Sequence, residues 1–358
     1  MTRLGLNPFH GWLALGAPAA LAAVAVSAAQ AQQMADSSFH PAVAHPAYQG
    51  AGPRVAIDQA HRNFHTAAGR YRPFAELLRL DGYRVEALDA RFSPESLRGV
   101  DVLIIANALG AEGPAAYDTP AFTADEVQAV RDWVESGGSL LLIADHAPYG
   151  AAAETLARAF GAGMSKAFTQ DVAAANNAGN PTFLRFTRDN GLLGDHPITR
   201  GRDQAERVSV VQTFTGQSLT VPPGATPLLV LSPSAMDRAP PSRAAAESRA
   251  ERVGRLRDSI MAEMAKSGGI GDTAIVIRVP AAQAGRPPEL TSAAGRTQGM
   301  ALEVGRGRVV ILGEAALLSA QVLVIPGRPT ARMGLNVPGT DDQQFALNVM
   351  HWLTRLLN

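Results

Sequence analysis

The chain predicts a doubly wound α/β fold on a mostly parallel sheet, and three observations carry that reading. Val55-Ala56-Ile57, Asp101 to Ala106 and Leu140 to Ala144 are apolar runs without alternation, the mark of strands buried on both faces. Segments of helical spacing stand between them. Each run stops at a polar residue, Asp58, Asn107 or Asp145, and right-handed crossovers that keep strands parallel bring such ends to one edge.

The stretch Ser136 to Gly150 is the centre of this pattern. A helix starts at Thr123, an N-cap with Glu126 three residues on, carries Val127, Val130, Trp133 and Val134, and stops at Gly137-Gly138. The strand that follows ends in Asp145 and His146. Pro148-Tyr149-Gly150 then turns the chain into an Ala-rich helix, Ala151 to Phe160, closed by Gly161. This order puts Asp145 and His146 outside the carboxyl end of a central strand, where open parallel sheets bind ligands.

Upstream, the folded part begins at Arg54, and a polar loop carrying His61, Asn63 and His65 follows the first strand. A helix from about Arg70 to Leu80 stops at Gly82, Arg84 to Leu88 alternates as a more exposed strand, and Ser93-Pro94-Glu95 starts a short helix. Downstream, Asp195 to Gly201 is a turn, and Val208 to Phe214 and Pro227 to Leu231 are strands. Residues 240–268 are Ala, Arg and Glu rich and read as an inserted exposed helix with the stripe Val253, Leu256, Ile260, Met264, after which Thr273 to Val279 returns to strand. Met300 to Val304 and Arg308 to Leu312, joined by Gly305-Arg306-Gly307, form a hairpin that makes the sheet locally antiparallel and delivers Glu314 to the same edge. Thr340 and Gln343 make a capping box for a last helix, Asp341 to Leu357, that packs Phe345, Val349, Trp352, Leu353 and Leu356 on the sheet.

The 358 residues, 46% hydrophobic and 18% charged, can bury a large core. Thirty-two basic residues against 32 acidic ones leave no electrostatic footprint for nucleic acid. The absence of cysteine excludes disulfides, a thiol nucleophile and a lipid attachment site. Residues 1–31 read as a signal peptide: Arg3, an apolar stretch from Trp12 to Ala28, then Ala29-Gln30-Ala31, with cleavage expected after Ala31. That implies a periplasmic or secreted protein, and an uncleaved signal is the one membrane attachment the sequence offers. Residues 32–53 then form a flexible leader and 54–358 one α/β domain.

Two chemistries suit the polar edge. Asp58, Asn63, Asn107, Asp145, His146 and Glu314 offer hydrogen bonds to a small polar molecule, a polyol or a glycan, with Asn336, Asp341, Asp342, Gln343 and Gln344 as an added rim. Alternatively, Asp58, His61, His65, Asp145 and His146 are the ligands a divalent metal needs, and Asp58, His61, Asp145 and His146 could run metal-assisted or acid-base hydrolysis. Structural readings stand beside both: loop-ordering hydrogen bonds for His61 and His65, and a cap on the next helix for Asp145. Ser319 has no GxSxG elbow around it, so a serine hydrolase is disfavoured.

The GYRV segment, the DVLIIAN strand, SGGSLLLIADH, LARAFG, DHPITRG and GRGRVVILGE together resemble the class I glutamine amidotransferase-like superfamily, over about residues 54–357 apart from the inserted helix. The nearest branch is an uncharacterised extracytoplasmic one, similar to gliding-motility and intraflagellar-transport domains. The resemblance implies a flavodoxin-like sheet with a strand-turn-helix elbow that carries a cysteine nucleophile in active amidotransferases, and it implies sugar binding for related domains. Here the elbow reads Ala144-Asp145-His146-Ala147-Pro148, which departs from that pattern and removes thiol-based amide hydrolysis.

Overall fold

The computed structural model describes residues 32–266, 289–324 and 330–358. The leading segment 1–31 and the strand expected at Thr273 to Val279 lie outside them.

Five strands form the parallel part of a nine-stranded sheet: β1 (Arg54–Asp58), β2 (Arg84–Leu88), β3 (Val102–Ala106), β4 (Ser139–Ile143) and β5 (Gly307–Leu312). Their spatial order is β2-β1-β3-β4-β5, every neighbour parallel. Each lies where the sequence predicts a strand. Four of them are almost wholly buried, whereas β2 keeps partial exposure as the edge strand that alternation announced. Beyond β5 the sheet turns antiparallel through Thr297–Val304, which joins β5 in the expected hairpin, and continues through Leu219–Thr220, Gly163–Met164 and Thr226–Val230.

The helices cover both faces. Val55 and Ile57 of β1 pack with α1 (Arg72–Leu80), whose Phe74, Leu77 and Leu78 are buried, and with Phe345, Val349 and Trp352 of the C-terminal helix α4 (Asp342–Leu353). The intervening Ala56 points the other way, into a second core with Leu103, Ile105, Leu140 and Leu142. That core takes Val130 and Val134 from α2 (Ala124–Glu135) and Ala152, Ala153 and Leu156 from α3 (Tyr149–Ala159). Alternate side chains of one strand thus feed two cores, which is why its sequence is a continuous apolar run. Each Leu or Ile so buried contributes about 1.5–3 kcal/mol.

Several expectations are corrected. The short helix at Ser93 is a hydrogen-bonded turn over 94–99, held by Ser93 and Ser96 bonding each other's backbone N–H. Helix α4 begins after Asp341 without a side-chain cap. Thr340 donates to Val337 O, while Asp341 accepts from the N–H groups of Ser209 and Val210 and Asp342 from that of Gln212. These carboxylates therefore fasten the antiparallel strand pair Arg185–Thr187/Val210–Gln212 to α4. Residues 32–52, read as a leader, are bonded along the domain. Gln32–Ala35 pairs with Ala320–Val324, which pairs in turn with Ala331–Gly334, and Asp36 accepts from Asn336 Nδ2 at 2.8 Å. Asp81 accepts the Ala47 N–H at 2.7 Å and meets His351 Nε2 at 2.7 Å, tying that segment to α1 and α4. The inserted helix spans Arg243–Lys266.

Candidate functional site

The ends of β1, β3, β4 and β5 lie at one edge of the sheet, and their polar residues sort into two clusters. The loop after β1 is stitched to the end of β3 by Phe64 N–H to Asn107 O and Leu109 N–H to His61 O.

In the first cluster His61 is sealed. Its Nδ1 lies 2.9 Å from both Asp58 oxygens and its Nε2 2.8 Å from Glu126 Oε1, with Phe92 and Phe122 against the ring. Asn63 donates to Asp58 Oδ2 at 2.9 Å and accepts the His61 N–H, so the loop wraps its own carboxylate. Burial pushes the His61 imidazole down, but the Asp58 and Glu126 carboxylates outweigh it and hold the pKa above the ordinary histidine value. Burial would likewise raise Glu126, yet the Thr123 N–H and His61 hold it at about 2. Glu126 was legible only as the third residue of the Thr123 capping box, and that box is present. Its second task is tertiary, and no local pattern announces it. Both ring nitrogens of His61 are occupied, so Asp58 and His61 serve the loop.

The second cluster is open. Asn107, at φ 47, sits in the left-handed region just after β3, a conformation Asn tolerates better than most residues. It clasps the elbow with both ends of its amide: Nδ2 donates to Asp145 Oδ2 at 2.7 Å, and Oδ1 accepts the Asp145 N–H at 2.9 Å. Asp145 Oδ1 accepts the Ala315 N–H at 2.8 Å, so the carboxylate links β4 to the turn after β5. It does not cap α3, whose N-cap position is Pro148 and which has no side-chain cap. Glu314, fully buried, accepts the N–H groups of Ala316 and Leu317 at 2.7 and 2.8 Å. Burial pushes Glu314 well above the carboxylate range, and Asp145 beside it adds to the effect. Asp145, half-buried, is raised for the first reason as well, against the pull of His146 and of its two donors.

His65 completes this cluster. It is 3% exposed and receives Asn107 Nδ2 on its Nδ1 at 3.3 Å. Burial, helped by Arg70, lowers its pKa to about 3, so the ring is neutral with its proton on Nε2, a donor without a hydrogen-bond partner among the described residues. Around it stand Tyr71, Phe64 and Tyr149: ring centroids lie 4.7 Å from His65 to Tyr71, 5.3 Å from His65 to Phe64 and 5.8 Å from Phe64 to Tyr149. Phe64 is 48% exposed and carries the Arg70 guanidinium 4.4 Å above its ring. Burial and the Asp145 charge push the Tyr149 hydroxyl up to about 12, so it stays a neutral donor.

His146 turns away from this cluster. Its ring stacks on Phe168 at 3.9 Å, and its Nδ1 bonds the Ala147 carbonyl. Ser319 is buried and donates to Ala316 O. The rim residue Asn336 bonds Asp36, and Gln344 bonds Asn348. Among the described residues no group of three or more His, Asp or Glu side chains is placed to hold a metal ion. Gln217, which sequence reasoning passed over, braces the elbow by donating to the carbonyls of Ala144 and Asp145 at 2.8 and 2.9 Å. Gly150 makes room for it, since a Cβ there would sit 2.5 Å from the Gln217 amide. Its signal is absent from the sequence because Gln217 lies in a connection outside any periodic segment.

No protein-family model matches the sequence, and no curated protein does. The fold is similar to the mmIFT52 N-terminal domain, with a TM-score of 0.51 at 12% identity over 84% of this chain and 97% of that one. Looser likenesses include a ThuA-like protein from Bacteroides uniformis (TM-score 0.40, 13% identity, 87% of this chain and 94% of that one). Another is to a second ThuA-like protein, from Parabacteroides merdae (TM-score 0.36, 9% identity, 85% and 90%). At 12% identity the likeness to the mmIFT52 domain is one of fold, and it covers nearly the whole of that domain.

Proposed function

We propose that this chain is an extracytoplasmic, flavodoxin-like member of the glutamine amidotransferase-like superfamily that binds a small polar molecule, a polyol or the end of a glycan, at the carboxyl edge of its sheet. The strand order β2-β1-β3-β4-β5 supports the flavodoxin-like reading. The elbow Ala144-Asp145-His146-Ala147-Pro148 carries no cysteine, so amide hydrolysis through a thioester is outside its chemistry. One observation carries the binding reading. The half-buried Asp145 carboxylate and the neutral His65, which keeps an uncommitted N–H, both bond Asn107, and the half-exposed Phe64 ring lies 5.3 Å from the His65 ring. A fixed acceptor, a fixed donor and an apolar wall are what a polyhydroxylated ligand needs.

Calorimetric titration of the protein with neutral polyols and oligosaccharides tests this. Saturable binding is expected, weakened at least tenfold in Phe64→Ala while the melting temperature holds, and at least tenfold in Asp145→Asn, which also lowers the melting temperature because the amide can accept only one of the two N–H bonds. Binding that survives both substitutions would remove the edge from consideration. The extracytoplasmic part has its own check, the intact mass of protein recovered from the cell envelope. A chain beginning at Gln32 supports it, and a full-length mass favours an anchor.

A second reading rests on the raised carboxyls. Asp145 and Glu314 share buried charge, as acid-base pairs in hydrolases do, so Asp145 could pass a proton to a leaving group. Turnover of nitrophenyl glycosides that Asp145→Asn abolishes would favour this reading over simple binding. Elemental analysis of the purified protein tests whether a divalent metal takes part.

A further inference from the structure

Away from the sheet edge, the antiparallel strand pair Arg185–Thr187/Val210–Gln212 and the loop around Ala174 line a cleft of about 530 Å³, within the range of small-ligand sites. Arg185, Arg188 and Arg207 line it, with Asp189 the one carboxylate among the lining residues. Several arginines elsewhere on the surface are ion-paired, among them Arg54 with Glu86, Arg131 with Glu135, Arg200 with Asp195 and Arg202 with Glu206. None of the three in the cleft is ion-paired among the described residues.

Each is held differently. Arg188 is anchored by Nε to Val208 O at 2.9 Å and by Nη2 to Thr199 O at 2.6 Å, contacts that fix the guanidinium without neutralising it. Burial and then the Arg207 charge lower its pKa, so the two arginines repel each other. Arg207 is exposed and has no hydrogen bond among the described residues. Arg185 has its Nε buried with no hydrogen-bond partner. The nearby Asp341 spends Oδ2 on the Ser209 and Val210 N–H groups, and Asp342 feels the Arg185 charge without bonding it. The Thr187 hydroxyl, already an acceptor from Asn190 N–H, and the Ser209 hydroxyl add donors to the wall. A cleft rich in donors, poor in acceptors and carrying mutually repelling guanidiniums is stabilised by an oxyanion, which accepts two N–H bonds from each planar fork.

We propose that this cleft binds a phosphate or sulfate monoester, its tetrahedral oxyanion clamped by Arg185, Arg188 and Arg207. The site is independent of the carboxyl edge, so either assignment can fail without the other. Calorimetric titration of the purified protein with inorganic phosphate and, separately, inorganic sulfate at low ionic strength tests it. One saturable site is expected, weakened at least tenfold in Arg207→Gln and abolished in Arg207→Glu. The exposed Arg98→Gln, in the turn before β3, should bind as the parent does. Because Arg207 is exposed, these variants should keep the parent melting temperature. Tighter binding of one anion identifies which ester the cleft prefers. Absence of a saturable site for either anion, or equal affinity in the parent and Arg207→Gln, would overturn the proposal.

Discussion

His61 and His65 lie four residues apart in one loop, each beside a polar residue delivered by a neighbouring strand, and they have opposite fates. His61 has both nitrogens taken, by Asp58 and Glu126, and its pKa is held above the ordinary value. His65 faces an amide instead of a carboxylate, and burial leaves it neutral to about pH 3. Residue type and spacing do not separate the two. What separates them is whether the second nitrogen meets a partner, and that depends on Glu126, contributed by a helix 65 residues downstream of His61. A closed cluster stabilises the fold, whereas one with a spare donor can recognise something else.

The hardest blow to this contrast is His61→Ala. It leaves Asp58 and Glu126 facing each other in the interior, and a loss of about 3–5 kcal/mol is expected by denaturant unfolding. His65→Ala should cost markedly less. Equal losses would erase the distinction.

The pH dependence should also differ between the clusters. The His61 contribution is fully present below the unfolded pKa near 6.5 and is lost as pH rises through its higher folded value. Glu126, held at about 2 against 4.5, contributes roughly 3 kcal/mol above pH 4.5, lost as pH falls toward 2. Glu314 has the opposite sign. Its raised pKa means that stability declines as pH rises above 4.5 and the unfolded chain ionises first. Unfolding curves from pH 3 to 9 should therefore show a shallower acid limb in Glu126→Gln, because Asp36, Glu154, Asp171 and Glu206 are also held low, and in Glu314→Gln a weaker decline above pH 4.5.

Thr123→Ala sharpens the point about Glu126 at about 1 kcal/mol, since it removes one arm of the capping box and leaves the His61 contact in place. A loss as large as that of His61→Ala would show that the two cannot be separated. The smallest effect is expected for Phe64→Ala, within about 0.5 kcal/mol in stability because the ring is half exposed. Its signature belongs in ligand titration.

The sheet was legible where the chain obeys one rule at a time. Val102 to Ala106 and Ser139 to Ile143 are buried on both faces, so composition alone marks them, and parallel connection carries Asp58, Asn107 and Asp145 to a common edge. Glu314 followed from the hairpin turn. The partners were not legible: Asn107 clasps Asp145 across 38 residues, and Asp145 reaches Ala315 across 170. The contacts of Tyr71, Gln217, Arg188 and Arg207 depend on loops that have no period to read. The segment after residue 31 misled for a related reason, because Asp36 accepts from Asn336 and the Ala47 N–H donates to Asp81, partners far along the chain.

That segment bears on the order in which the molecule can be finished. Gln32–Ala35 is the first strand of the described chain to be synthesised, yet its ladder partner is Gln321 to Val324, and Asp36 waits for Asn336, 300 residues later. The parallel core has the same dependence, because β5 closes against β4 only after the whole middle of the chain has been made. Contacts of such long range form slowly and leave strand edges bare in the meantime. A chain emerging amino end first must therefore hold an open β-edge until its last tenth arrives, and a nick or truncation near the carboxyl end would strand both the opening strand and the centre of the sheet.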